Sequence, residues 1–138
     1  IGYNGAYSTS TAYAMKPTFT AGSGSGDTYE PNDTTAEAYG ISSGISYSSY
    51  IYSSTDVDYY KLTVSAAKSI SISLTTLPKD YDLYLYNSSG TQVGRSINGG
   101  TTSESITYTA AAGTYYVKVI GYSSVYSTTA AYTLKATY

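Results

Sequence analysis

Nine carboxylates are all the acid this chain carries, and they are not evenly spread. Glu30-Pro31-Asn32-Asp33 forms one knot, with Asp27 just ahead of it, and Asp56-Val57-Asp58 forms another. Carboxylates and an Asn carbonyl gathered in two loops suit a hard cation. Ca²⁺ takes six to eight oxygens at about 2.3–2.6 Å, and flexible loops can wrap it. The same residues also read as local structure. Pro-Asn-Asp is a turn sequence, Asp33 can cap a helical turn, and Asp56 can open a strand. Spacing alone leaves both readings open.

Other chemistry is narrowed by what is missing. The 138 residues include no His, no Cys and no Trp. Ser-His-Asp and Cys-His catalysis, imidazole or thiolate zinc sites and thiol redox chemistry are therefore excluded. A Ser-Lys dyad needs a desolvated lysine, whereas Lys61, Lys118 and Lys135 fall on the outward parity of their strands. Asp80 and Asp82 share one face of a strand and could imitate a paired-carboxylate site, with Glu104 as the sole matching acid elsewhere. Solvated acids on a strand edge would look the same, and the chain reads as non-catalytic. With a net charge of −2 and 12% charged residues, it has no basic stripe for nucleic acid.

Tyrosine is abundant, 20 residues in all, and Ser plus Thr make up roughly one-third of the chain, far above ordinary usage. Tyr and Thr favour pleated strands. From residue 27 onward the pattern has period two, with turn residues between the runs. Ile70, Ile72 and Leu74 alternate with Ser69, Ser71 and Ser73. Tyr60, Leu62 and Val64 share a face, as do Tyr81, Leu83 and Leu85, then Tyr115, Val117 and Val119, then Tyr132, Leu134 and Ala136. Weaker runs cover 45–52, 91–97 and 105–109, and 34–38 leans towards a single helical turn. Seven or eight strands at this spacing predict an all-β fold, an antiparallel β-sandwich.

That parity sorts the tyrosines. Tyr60, Tyr81, Tyr108, Tyr115 and Tyr132 fall on apolar faces and read as core, each hydroxyl needing a partner. Tyr84, Tyr86 and Tyr116 fall on the opposite face. They form either an aromatic platform for sugar rings or collagen-like polymers, or ordinary cross-strand pairs. Ahead of the sandwich, Ala21–Gly26 alternates Gly and Ser as a flexible linker does. Residues 1–26 are thus read as the tail of a preceding domain plus linker, and 27–138 as the β-domain. Beginning at Ile1, the chain reads as a fragment or processed piece. No run approaches the ~18 apolar residues of a membrane span, and none of these residues reads as a signal peptide.

Several motifs in order resemble the bacterial pre-peptidase C-terminal domain. They are Glu30-Pro31-Asn32-Asp33 with Ala36-Glu37-Ala38, Asp56-Val57-Asp58-Tyr59-Tyr60-Lys61-Leu62, Tyr81–Tyr86, Ala112–Val119 and the closing Tyr132-Thr133-Leu134. The resemblance covers roughly 27–138. It implies a jelly-roll-like β-sandwich following the catalytic domain of a secreted hydrolase, with the collagen-binding domains of clostridial collagenases as cousins. The resemblance implies a domain that is extracellular, aids secretion or stability and can be removed on maturation. Its partners would be the upstream catalytic domain and an insoluble protein or polysaccharide. The resemblance also implies a Ca²⁺ site at Glu30, Asn32, Asp33, Asp56 and Asp58. The sequence departs from the calcium-binding cousins two residues before Glu30, where Thr28 replaces an acid and Asp27 would have to substitute.

Overall fold

Serine and isoleucine in strict alternation make Lys68–Thr75 a strand, because successive side chains of extended backbone point to opposite faces. Ile70, Ile72 and Leu74 are fully buried, and each contributes about 1.5–3 kcal/mol over an exposed side chain. The computed structural model describes residues 28–138. The expected tail and linker over 1–26, and Asp27, lie outside the described residues.

Nine strands form in chain order: β1 Tyr39–Gly40, β2 Ser46–Ser49, β3 Val57–Val64, β4 Lys68–Thr75, β5 Tyr81–Asn87, β6 Gln92–Ser96, β7 Glu104–Ala110, β8 Gly113–Gly121 and β9 Tyr132–Thr137. A single 3₁₀ turn, Tyr122–Ser124, follows β8. One sheet has the order β1-β3-β8-β5-β6 and the other β2-β9-β4-β7. Apart from the β5–β6 hairpin, consecutive strands cross between the sheets, so a single core fills the space between two inner faces. Among the described residues no helix is long and apolar enough to cross a membrane.

The expected all-β sandwich is what forms, with two refinements. The strand count is nine instead of seven or eight, because the two-residue β1 adds to the first sheet. That strand pairs parallel with β3, Tyr39 opposite Tyr60, while the other ladders are antiparallel. The weak run over 45–52 becomes a strand only at Ser46–Ser49. Beyond it, the Ile51 carbonyl accepts from Ser127 N at 2.9 Å and Tyr52 N donates to Asp56 Oδ2. Those backbone groups are satisfied by loops, so no ladder continues. The window 34–38 closes one turn, Glu37 N to Thr34 O at 3.1 Å, and goes no further.

Backbone and ring contacts bind the acidic N-terminal segment to the sandwich. Tyr59 N donates to the Asn32 carbonyl at 2.7 Å. The Tyr29 ring packs against Tyr39, Tyr47 and Tyr60, with centroids 4.7, 5.8 and 6.2 Å away.

Candidate functional site

The inward row of β3 runs Asp58, Tyr60, Leu62, Val64, and Asp56 lies two residues before it on the same parity. Alternation that buries Leu62 therefore also buries acids at the mouth of the sandwich: Asp56 is 2% exposed and Asp58 fully buried. Glu30 reaches the same place from the N-terminal segment. One carboxylate oxygen from each of Glu30, Asp56 and Asp58 lies within 4.8 Å of the other two. The Asn32 carboxamide, fully buried, lies 3.1–3.3 Å from Asp58 Oδ1 and both Glu30 oxygens. Turned one way it donates to those carboxylates; turned the other it adds a fourth oxygen to them.

Of the residues expected at a cation site, Glu30, Asn32, Asp56 and Asp58 are brought together. Asp33 lies beside them and braces the strand, its Oδ1 accepting from Val57 N at 3.3 Å. The donor set suits calcium: hard oxygens only, and a spread close to twice a Ca–O distance of about 2.4 Å. Such an ion would neutralise carboxylates that burial otherwise disfavours.

Behind the acids lies a buried relay of phenols. Asp58 Oδ2 accepts from the Tyr132 hydroxyl, which shares a 2.7 Å hydrogen bond with Tyr60. Burial and then the Asp58 charge hold Tyr132 well above the usual phenol range. Burial, with Asp58 and Asp56 adding to it, pushes Tyr81 up to about 12. Core parity identified these tyrosines in the sequence; that their hydroxyls serve the acidic site depends on β3 and β9 meeting across the core.

The second cluster covers the outer face of the first sheet. Tyr86 is paired across strands with Tyr116, and Tyr84 with Lys118. Lys118 is also opposite Tyr59. Its ammonium stands 5.9 Å from the Tyr59 ring centre and 5.8 Å from that of Tyr84, a two-sided cation–π clamp. Tyr59, Tyr86 and Tyr116 line a cleft of about 420 Å³ with the Asn87–Gly90 turn. That turn is held by Asn87 Oδ1, which accepts from Ser89 N and Thr91 N at 3.0 Å. Burial raises the pKa of Tyr59 and of Tyr86, so both phenols stay neutral donors.

Tyr86 and Tyr116 thus share a cleft as parity suggested, while Tyr84 sits beyond Lys118 in a neighbouring one. Tyr59 was legible as outward from its parity, but its place in the cleft requires β3, β8 and β5 to lie side by side. Of the acids weighed as a paired-carboxylate site, Asp80 and Asp82 line one cleft, while Glu104 stands on the inward side. Asp82 lies on the outer face of β5, whereas Glu104 is fully buried on the inward parity of β7. Glu104 Oε2 accepts from Ser96 Oγ and from Asn98 Nδ2, anchoring the turn into β7.

Comparison with known proteins agrees with this architecture. Residues 56–121 match the family model of the bacterial pre-peptidase C-terminal domain. The match includes Asp56, Asp58 and the tyrosine face from β3 to β8; Glu30 and Asn32 precede it. The chain is similar to the pre-peptidase C-terminal domain of a collagenase from Bacillus anthracis, at 20% identity and a TM-score of 0.61. That alignment covers 72% of this chain and 93% of the other. It is also similar to PliG of Aeromonas hydrophila, a periplasmic inhibitor of g-type lysozyme, at 13% identity and a TM-score of 0.50, over 72% and 94% of the two chains. At such identities the likeness is one of fold. No curated protein matches the sequence. The signature of the bacterial pre-peptidase C-terminal domain thus lies on residues 56–121, the strands that carry both clusters, and the sandwich around them is similar in fold to a domain of that family.

Proposed function

We propose that the domain is a non-catalytic accessory module of a secreted bacterial hydrolase, a peptidase by its family, and that it serves the secretion or stability of that enzyme. The observation behind this reading is the family signature over 56–121. Supporting it, no desolvated lysine accompanies the clefts among the described residues. Lys61 and Lys135 are exposed and Lys118 is committed to two rings.

The tyrosine face favours a second role, in which the module holds its enzyme against an insoluble protein or polysaccharide. Tyr84, Tyr86, Tyr116 and Tyr59 offer rigid ring area with polar tips, a composition suited to contact surfaces. That a similar domain belongs to a collagenase adds weight to this reading. The test is retention of the purified chain on insoluble collagen, chitin and cellulose, beside a Tyr84→Ala/Tyr116→Ala variant. Retention of the parent and loss in the variant is expected; no retention of the parent on any matrix ends the binding role. The accessory role predicts instead that deleting the module from its precursor lowers the yield of secreted enzyme, and an unchanged yield argues against it.

We further propose that Glu30, Asn32, Asp56 and Asp58 hold Ca²⁺, with Asp33 bracing them. The ion would tie the segment before β1 to the mouth of β3. Its contribution would be charge neutralisation and cross-linking, a gain in stability without catalysis.

A further inference from the structure

Beyond Lys118 the outer face of the first sheet changes character. Asp80, Asp82 and Tyr84 of β5 and its approach, Ile97 and Gly99 of the turn after β6, and Tyr122 line a cleft of about 490 Å³. Tyr122 is pinned there by its backbone, its N–H donating to the Asp80 carbonyl at 2.8 Å, while its ring stays 59% exposed. Asp82 is only 7% exposed although it lies on the outward parity. Its one hydrogen bond is from the Tyr84 hydroxyl at 3.4 Å, beyond the ordinary range of about 2.5–3.0 Å for O–H···O. Among the described residues no hydrogen bond reaches its other oxygen, and no cation pairs with it. Lys118 is held over the Tyr59 and Tyr84 rings, and Arg95 lies across from Tyr84.

A carboxylate this buried, short of donors and flanked by a second acid and two tyrosine rings, lacks one component: a cation with N–H groups. Carboxylates supply charge-assisted acceptors and phenol rings supply faces for an ammonium or guanidinium. A neutral sugar placed here would offer hydroxyl donors but no positive charge to set against the two carboxylates, and so would forgo the stronger charge-assisted pair.

Resting on the polymer-binding reading of the tyrosine face, we propose that the Asp80/Asp82/Tyr84/Tyr122 cleft is a subsite for a lysine or arginine side chain of an extended polypeptide. The same polypeptide crosses Lys118 and lays uncharged residues in the Tyr59/Tyr86/Tyr116 cleft. Asp82 and Tyr86 are four residues apart on β5, roughly 13 Å along the strand. An extended ligand rising about 3.1 Å per residue spans that distance in about four residues. The module would then recognise a basic residue about four positions from a Pro-rich or apolar patch, and neutral glycans would fill only half of the groove.

Fragment titration of ¹⁵N-labelled protein separates this subsite from the polymer reading on which it rests. N-acetyl-arginine amide should shift the amide signals of residues 80–84, 97–99 and 122. Its neutral isostere, N-acetyl-citrulline amide, and the Asp82→Asn variant should each bind about tenfold more weakly, the loss of one charge-assisted hydrogen bond. Tyr122→Ala, a change at an exposed ring, should weaken the arginine fragment and leave the fold intact. Equal responses to the two fragments, silence at those amides, or retention of the protein on chitosan but on no polypeptide matrix would overturn the proposal. Should arginine amide bind while no matrix retains the protein, the subsite stands and the polymer role fails. Should collagen retain the protein through Tyr116 while arginine amide is ignored, the subsite fails alone.

Discussion

Replacing Tyr132 by Phe removes a single oxygen from the centre of the molecule and tests whether the acidic site is bonded into the core. The ring stays, with its edge-on packing against Tyr81 at 6.0 Å and 89°, so no cavity opens. What goes is the donor to Asp58, a fully buried carboxylate, and the partner of the Tyr60 hydroxyl. A hydrogen bond to a charged group contributes about 1.5–3 kcal/mol and a neutral one about 1 kcal/mol, so the loss should come to about 3 kcal/mol. With a urea m-value of about 1.5 kcal/mol/M, the unfolding midpoint should fall by about 2 M at unchanged slope. Urea titration followed by near-ultraviolet circular dichroism, in EDTA so that the Asp58 charge is not neutralised, reads this directly. Tyr60→Phe severs only the outer link and should cost about 1 kcal/mol. A midpoint for Tyr132→Phe within about 0.3 M of the parent would mean that the relay contributes little, and the reasoning from buried, charge-assisted bonding would be wrong.

Three further outcomes are expected. Calcium at 10 mM, against an affinity of about 1 mM, should stabilise the domain by about 1.4 kcal/mol and raise its melting temperature by about 5 °C. Asp58→Asn should abolish the rise, and terbium bound in place of calcium should luminesce on tyrosine excitation; identical melts in EDTA and calcium would remove the cation. Because Tyr81 is held at about 12 and Tyr132 well above 10, the folded state keeps protons that the unfolded state loses from about pH 10 upward. Their contribution is thus complete below pH 10 and declines as pH climbs towards 12. Thermal melts across that window should show the decline, with phenolate absorbance of the buried rings appearing together with loss of sheet; phenolate in a still-folded chain would contradict it. Gly94→Ala should cost about 1–3 kcal/mol, since its Cβ would lie 2.8 Å from Ile106 Cγ2 and 3.6 Å from Leu85 Cβ. Chemical denaturation of that variant alone and with Ile106→Ala should give a less than additive loss.

Particular strands show where one-dimensional reading reaches and where it stops. Ile70, Ile72 and Leu74 are inward because Ser69, Ser71 and Ser73 are not, and no neighbour is needed to see that. Ile51 is the opposite case. It is 1% exposed yet belongs to no strand, since its carbonyl is taken by Ser127, a distant partner that local pattern cannot name. Asp82 follows outward parity but is buried all the same, in a cleft that it shares with Tyr122 and the turn after β6.

Chain order by itself determined the all-β class, the core parity of Tyr60, Tyr81 and Tyr132, the exclusion of His and Cys chemistry, and the two acidic knots. All of these follow from side-chain type and the period-two geometry of extended backbone, which are local. Tertiary structure alone decided that Glu30 meets Asp56 and Asp58, that Asp33 braces the strand beside them, and that Tyr132 bonds Asp58 from 74 residues away. It also decided that Tyr59, Tyr116 and Tyr86 line one cleft while Asp82 lines the next. Such meetings depend on strand order and register, and those are set by how two whole sheets bury their inner faces together, a property that no segment of the chain carries alone.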